Sequence, residues 1–224
     1  MIVAIDGPAA SGKSTSAKLL AKELGFLYLD TGAMYRCVSW AVIKDEIDLS
    51  NDRQLLNFLK KFKIDLKNNG NRSSFYVNNK DVTDLIRKSN ISQRVSEVSA
   101  IPDIRDFMVD IQRNYAKSEN CVMEGRDIGT VVFPRAEVKF FIIASDEVRA
   151  KRRKLELESL GEKKSLSELI DEIRRRDDFD SNRGHSPLKK AFDAIEIDTT
   201  DLSIDEQVEL MVGIVKQKII GNKK

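Results

Sequence analysis

Residues 2–15 read IVAIDGPAASGKST, and this stretch decides the fold. Ile2 to Ile5 is a short continuous apolar run, a glycine-containing turn follows, and then Ala17, Leu20, Ala21 and Leu24 recur at helical spacing with Gly25 as a stop. The pattern is strand, loop, helix. Gly7, Pro8, Ala9, Ala10, Ser11, Gly12, Lys13, Ser14 and Thr15 carry the two glycines, the lysine and the hydroxyl of a phosphate-binding loop in that context. Glycines let the backbone wrap an anion with its N–H groups inward, while the following helix presents the positive end of its dipole. Lys13 is placed to reach the β and γ phosphates of a nucleoside triphosphate, and Ser14 to ligate Mg²⁺. These nine residues are the candidate ATP site.

Four more apolar runs, Phe26 to Leu29, Cys121 to Met123, Val138 to Ala144 and Ile195 to Ile197, alternate with helical patterns. Five short buried strands of this kind predict an α/β fold, a five-stranded parallel sheet flanked by helices. Residues 62–92 break the rhythm. Ile64 and Leu66 alternate with charges, and Phe75 to Val77, Asn78-Asn79 and Lys80 to Val82 read as a hairpin with a two-residue turn, so a small antiparallel β insert is expected there. Pro102 opens a helix whose apolar face is Ile104, Phe107, Met108, Ile111 and Tyr115, with Arg105 off the stripe. Capping boxes at Ser165/Glu168 and Ser203/Glu206 start two later helices. The first is expected to end near Arg176, leaving 177–187 as a polar loop. Trp40, among Val38, Ala41 and Val42, reads as core, and the terminal Asn222-Lys-Lys as a frayed tail.

The 224 residues include 38 basic and 36 acidic side chains, a net charge of +2, so the totals favour neither a nucleic-acid nor a membrane-surface partner. Any anion must be met locally. Cys37 and Cys121 lie far apart in apolar contexts without metal-ligand spacing and read as reduced core thiols, which fits a cytoplasmic protein. No run approaches the length of a membrane helix and no export signal is apparent, so a soluble chain is expected. With no long apolar stripe left over, a monomer is expected.

A phosphate loop alone does not separate a GTPase, a motor and a small-molecule kinase. Open α/β sheets bind ligands beyond the carboxyl ends of their strands, and there stand Asp30-Thr-Gly-Ala-Met-Tyr-Arg36 and Glu124-Gly-Arg126-Asp127-Ile-Gly129. Each puts an arginine beside small or acidic residues, as a second anionic substrate requires. A guanine-reading Asn-Lys-x-Asp segment is not apparent.

The segment from Gly7 to Thr15, DTGAMYR (30–36), EGRDIGTVVFP (124–134) and RRRDDFDSNRGHSPLKKAFDAIEIDTT (174–200) together resemble the bacterial cytidylate kinases, P-loop enzymes that transfer the γ-phosphoryl group of ATP to CMP or dCMP. The resemblance spans nearly the whole chain. It implies a P-loop kinase core at 1–61 and 93–224, a helical lid at about 149–186 and the β insert at 62–92 in the monophosphate-binding region. Residue by residue it implies that Arg36 and Arg126 hold the α-phosphate of CMP, with Thr31 at the acceptor site. Ser96, Arg105 and Asp127 would line the cytosine, Arg176 and Asp180 would meet the ribose, and Arg183 would lie near the phosphates. Lys13, Arg126, Arg176 and Arg183 would be the catalytic set, and Mg²⁺ would be the cofactor.

Cytosine offers an exocyclic amine as donor with N3 and O2 as acceptors, so a carboxylate beside an arginine complements it, whereas uracil would set a carbonyl against Asp127. CMP is therefore expected to be preferred over UMP. Arg149, Arg152 and Arg153 after the fourth strand, with the run from Arg174 to Arg183, read as two limbs of a closing lid. Arg149 and Arg153 are ATP candidates, although three such arginines are as readily a basic helix face. His185, the only histidine, reads as a loop residue, and Glu124 stands where some P-loop proteins place a Mg²⁺-directed acid. A related kinase with another acceptor, or a nucleotide-dependent binding switch, would use the same loop. The paired arginines after strands two and three weigh against the switch, which has no second phosphate to hold.

Overall fold

A computed structural model describes residues 1–68, 73–117, 119–159 and 161–221. The terminal Asn222-Lys-Lys segment lies outside them. The chain divides into two compact units, one of Met1–Asp30 with Arg113–Lys224 and the other of Thr31–Gln112.

The first unit is built on the parallel sheet foreseen from the apolar runs. Its strands are β1 (Ile2–Asp6), β2 (Leu27–Asp30), β6 (Cys121–Gly125), β7 (Val138–Ile143) and β8 (Ile195–Asp198), in the order β2-β6-β1-β7-β8 and all parallel. β6 is buried along its whole length, as a central strand covered on both faces must be. Helices α1 (Lys13–Leu24) and α8 (Ile204–Gly221) cover one face, where Ala17, Leu20, Met211 and Val215 pack on Val3, Ile5, Val122, Phe140 and Ile197. Register aligns Asp6 with Gly125, so β1 and β6 release their chains side by side at the carboxyl edge.

Helices α6 (Asp146–Ser159) and α7 (Leu166–Asn182) pair through Ala150, Leu157, Leu169 and Ile173. Both capping boxes form: Glu168 N–H donates to Ser165 Oγ at the start of α7, and Glu206 N–H donates to Ser203 Oγ before α8. The expected polar loop at 177–187 is corrected, because α7 continues to Asn182. Arginines and aspartates one turn apart sustain a helix, Asn182 Nδ2 bonds back to the Asp178 carbonyl, and the chain turns away only at Arg183 and Gly184.

The second unit holds α2 (Thr31–Lys44), α3 (Asp52–Lys61), α4 (Ser89–Ala100), most of α5 (Pro102–Tyr115) and an antiparallel sheet β3-β4-β5, of Ile64–Asn68, Ser73–Val77 and Lys80–Asp81. The hairpin has the register read from the sequence, Val77 opposite Lys80 around Asn78 and Asn79, whose φ values of 48° and 67° are those of a left-handed two-residue turn. Residues 69–72 of the insert lie outside the described residues. Phe75 is buried within this unit. Trp40, expected in the core, is only half-buried, with the ammonium groups of Lys44 and Lys80 each 5.3 Å from its ring centroid. Arg105 is buried despite lying off the apolar stripe, donating to the Ser99 carbonyl at 3.0 Å with its guanidinium 5.4 Å from the Tyr35 ring centroid.

Candidate active site

The loop between β1 and α1 has the shape its composition requires. A Cβ on Gly7 would lie 2.2 Å from the Ile142 carbonyl oxygen of β7, so only glycine lets the chain pass. Gly12 sits at φ 95° and caps α1 without a side-chain hydrogen bond, and Ala10 holds a left-handed φ of 57°. Lys13 is buried and its Nζ donates to the Pro8 carbonyl at 3.0 Å, arching over the loop. Burial first, then the charge of Arg126, push its ammonium below the usual lysine range. An arriving phosphate would offset both influences through its negative charge.

Beside Lys13 lies a set of hard oxygen atoms. Ser14 Oγ donates to Glu124 Oε2 at 2.7 Å and the Tyr28 hydroxyl donates to Glu124 Oε1 at 2.6 Å. Burial and the nearby Asp30 raise the Glu124 carboxyl, against the pull of Lys13. Among the described residues no group of three or more His, Cys, Asp or Glu side chains could cage a metal. Mg²⁺ keeps several waters and takes phosphate oxygens with one or two protein oxygens, which is what this set offers.

The outward carbonyls of the loop are held from behind. Arg149 of α6 donates to the Ala9 carbonyl at 3.1 Å, and Ala9 N–H donates to Asp177 Oδ1 of α7 at 3.1 Å. Arg149 and Asp177 are themselves an ion pair, so together they grip both polar groups of one peptide residue. Arg152 donates to the Ser11 carbonyl at 3.1 Å, which also accepts from Thr199 Oγ1 at 3.0 Å. Ser16 Oγ donates to Gln207 of α8 at 2.9 Å. Arg153 pairs with Glu156 on its own helix at 2.6 Å.

At the adjoining strand end, Arg126 Nε donates to Asp180 Oδ2 at 2.9 Å. The buried Asp127 stands 3.9 Å from an Arg183 nitrogen, and Arg183 Nε donates to the Ser186 carbonyl at 2.6 Å. Burial works to raise the Asp180 carboxyl, but the charges of Arg126, Arg176 and Arg183 outweigh it and hold it low. Arg126, Asp127, Arg176, Asp180 and Arg183, drawn from two stretches about fifty residues apart, thus form one cluster within the first unit. In the second unit Thr31 is buried at the start of α2, Arg36 is half-buried one turn on, Ser96 is half-buried on α4, and Arg105 is buried on α5.

Sequence reasoning passed over Asp6, Tyr28, Thr199 and Gln207. Thr199 directly follows β8, and the strand-end rule could have found it. The aspartates of the 174–183 run read as orienting arginines or touching the ribose, and Asp177 does pair with Arg149, but its bond to the backbone of Ala9, 168 positions away, gave no signal.

A family model described as cytidylate kinase matches residues 3–217. A cytidylate kinase of Halalkalibacterium halodurans is 48% identical over 219 residues, covering 98% of this chain and 99% of that one. One from a Geobacillus species is 49% identical over 217 residues, with 97% of each chain covered. Among solved structures, an uncharacterized protein from Eubacterium ventriosum shares the fold at a TM-score of 0.52 and 14% identity, over 96% of this chain and 98% of that chain.

Proposed function

The chain belongs to the cytidylate kinase family, and on that footing we propose that it transfers the γ-phosphoryl group of ATP to CMP and dCMP, giving CDP and dCDP. The observation that carries this reading is the alignment of Asp6 with Gly125. Adjacent parallel strands release a phosphate-binding loop and an arginine–carboxylate turn at the same sheet edge, a donor site beside an acceptor site.

Phosphoryl transfer asks little covalent chemistry of the protein. Positioning and charge stabilisation supply most of the rate, and a phosphate acceptor already ionised at neutral pH needs no general base. Lys13 would meet the transferring phosphoryl group, and backbone N–H groups from Gly7 to Thr15 would cradle the triphosphate. Ser14, oriented by Glu124, would hold Mg²⁺, which when bound neutralises charge on the β and γ oxygens. Arg126 and Arg36 would hold the CMP phosphate, with Thr31 at the acceptor site. Asp127, with Ser96 and Arg105, would read the cytosine, while Arg176 and Asp180 take the ribose and Arg183 the phosphates. The two helices α6 and α7 would serve as the lid, with Arg149 and Arg153 on the ATP side, and residues 62–92 as the insert of the monophosphate region. Buried free thiols at Cys37 and Cys121 support a cytoplasmic location, and no helix among the described residues is long and apolar enough to cross a membrane.

The test is ADP release with ATP and Mg²⁺ against CMP, dCMP, UMP, AMP and GMP in parallel. Turnover concentrated on CMP and dCMP is expected. Comparable turnover of a purine monophosphate, or none of any nucleotide, would refute the acceptor assignment.

A further inference from the structure

The last residue of β1 carries a carboxylate with no part in the roles above. Asp6 is buried, its Oδ1 accepts the Ile128 N–H at 2.8 Å, and its Oδ2 accepts the Gly129 N–H at 2.7 Å. Ile128 and Gly129 open the single π-helical turn of Ile128–Val132 and directly follow Asp127. Both oxygens of one carboxylate therefore fix two consecutive peptide groups immediately after the arginine–aspartate pair. When Asp6 is ionised these bonds are charge-assisted, and such bonds are shorter and stronger than neutral ones.

The turn is also packed from the other side. A Cβ on Gly129 would lie 3.3 Å from Asp6 Oδ2 and 3.1 Å from Cδ of Lys139 on β7. Lys139 is itself held, donating to the Pro134 carbonyl at 2.7 Å and to Asp193 at 2.8 Å. Gly129 thus sits between a fixed carboxylate and a fixed lysine stem, with no room to drift. Burial pushes the Asp6 carboxyl up to about 7 although the two N–H groups pull it down. A buried carboxylate kept against that desolvation is the sort of local conflict that proteins retain at functional sites.

We propose that Asp6 is a positioning residue for base recognition, which by gripping the N–H groups of Ile128 and Gly129 sets the Asp127 carboxyl and the Arg126 guanidinium where cytosine and the acceptor phosphate meet them. The proposal rests on the assignment of Asp127 to the base. It joins the two sites through one residue, since Asp6 precedes the first glycine of the phosphate loop and holds the turn that displays the acceptor-binding pair.

The experiment compares kcat/KM for CMP and UMP in the wild type, Asp6→Asn and Asp127→Ala, with thermal unfolding and binding of a fluorescent ATP analogue as checks on fold and donor site. Asparagine offers one acceptor and one NH₂ donor to two N–H groups, so it breaks the grip at almost constant size. Asp6→Asn is expected to lower the CMP to UMP ratio about tenfold, as the loss of one charge-assisted bond implies, while the ATP analogue still binds. Asp127→Ala should lower the ratio at least as far. If Asp127→Ala lowers it and Asp6→Asn leaves it unchanged, the positioning role is overturned and the base assignment survives. If Asp127→Ala leaves it unchanged, the base assignment falls and this proposal with it. Should Asp6→Asn not fold, Gly129→Ala pushes the same turn off the carboxylate. It is expected to lower the ratio in the same way, and an unchanged ratio overturns the proposal.

Discussion

Two guanidinium–carboxylate pairs use aspartates one helical turn apart on α7, Arg149 with Asp177 and Arg126 with Asp180, and they face different tasks. Arg149 is 6% exposed and goes on to the Ala9 carbonyl, while Asp177 takes the Ala9 N–H, so that pair is closed upon the protein backbone. Arg126 is 16% exposed, leaves the end of β6 at the sheet edge, and belongs to a cluster with Asp127, Arg176 and Arg183 where positive charge outnumbers negative. The same chemistry serves as a staple in one place and, in the function proposed above, would serve as an anion receptor in the other. What separates them is where the remaining donors point, which the ion pair itself does not reveal.

The largest expected effect falls on the receptor. Arg126→Ala should lower kcat/KM for CMP about a thousandfold, roughly 4 kcal/mol of transition-state stabilisation, with a smaller loss of Tm than Arg149→Ala because Arg176 and Arg183 still face Asp180. A large loss of Tm with near-normal kcat/KM would exchange the two roles. Arg149→Ala should act mainly on stability, since it leaves the largely buried Asp177 carboxylate without its guanidinium, and secondarily on KM for ATP through the Ala9 carbonyl it holds. Removing one member of such a pair costs about 3 kcal/mol, which urea unfolding would register.

Per pH unit, a smaller effect concerns the carboxylate at the end of β1. The Asp6 pKa, about 7 in the fold against an ordinary 3.8, means the folded protein keeps a proton that the unfolded chain releases. The unfolding free energy of the wild type relative to Asp6→Asn should therefore fall as pH rises from about 4 to about 7, at up to about 1.4 kcal/mol per pH unit, and stay level outside that window. Denaturant titrations at four or five pH values would show the slope. A difference that rises with pH would mean that the two N–H donors, with Arg126, outweigh burial and Asp127. The smallest change is expected at Arg153, whose partner Glu156 is 60% exposed. Arg153→Ala should alter stability by less than about 0.5 kcal/mol, so a raised KM for ATP would identify a donor contact free of structural effects.

These contrasts mark how far the sequence could be read. The phosphate loop was legible because its chemistry is local: glycines, lysine and hydroxyl occupy neighbouring positions, and strand and helix on either side confirm the context. The hairpin was legible for the same reason, through Asn78-Asn79. The end of α7 was misread because polar composition suggests a loop, whereas arginines and aspartates one turn apart support helix as well as they support solvent exposure. Arg149 read either as an ATP candidate or as part of a basic helix face, and only tertiary structure shows that it meets a backbone carbonyl across 140 residues. Asp6 was hidden for a related reason: its place at a strand end marks it for inspection, but its partners appear only when the turn it holds has been brought beside it.

Following the phosphorus nuclei of ATP and CMP by ³¹P NMR in the presence of the protein and Mg²⁺ tests the central claim most directly. Loss of the ATP γ signal together with the CMP signal, and growth of the two resonances of CDP, is the result predicted. Orthophosphate appearing while CMP persists would show that the phosphate loop hydrolyses ATP without passing its phosphoryl group to the pyrimidine nucleotide, and would contradict it.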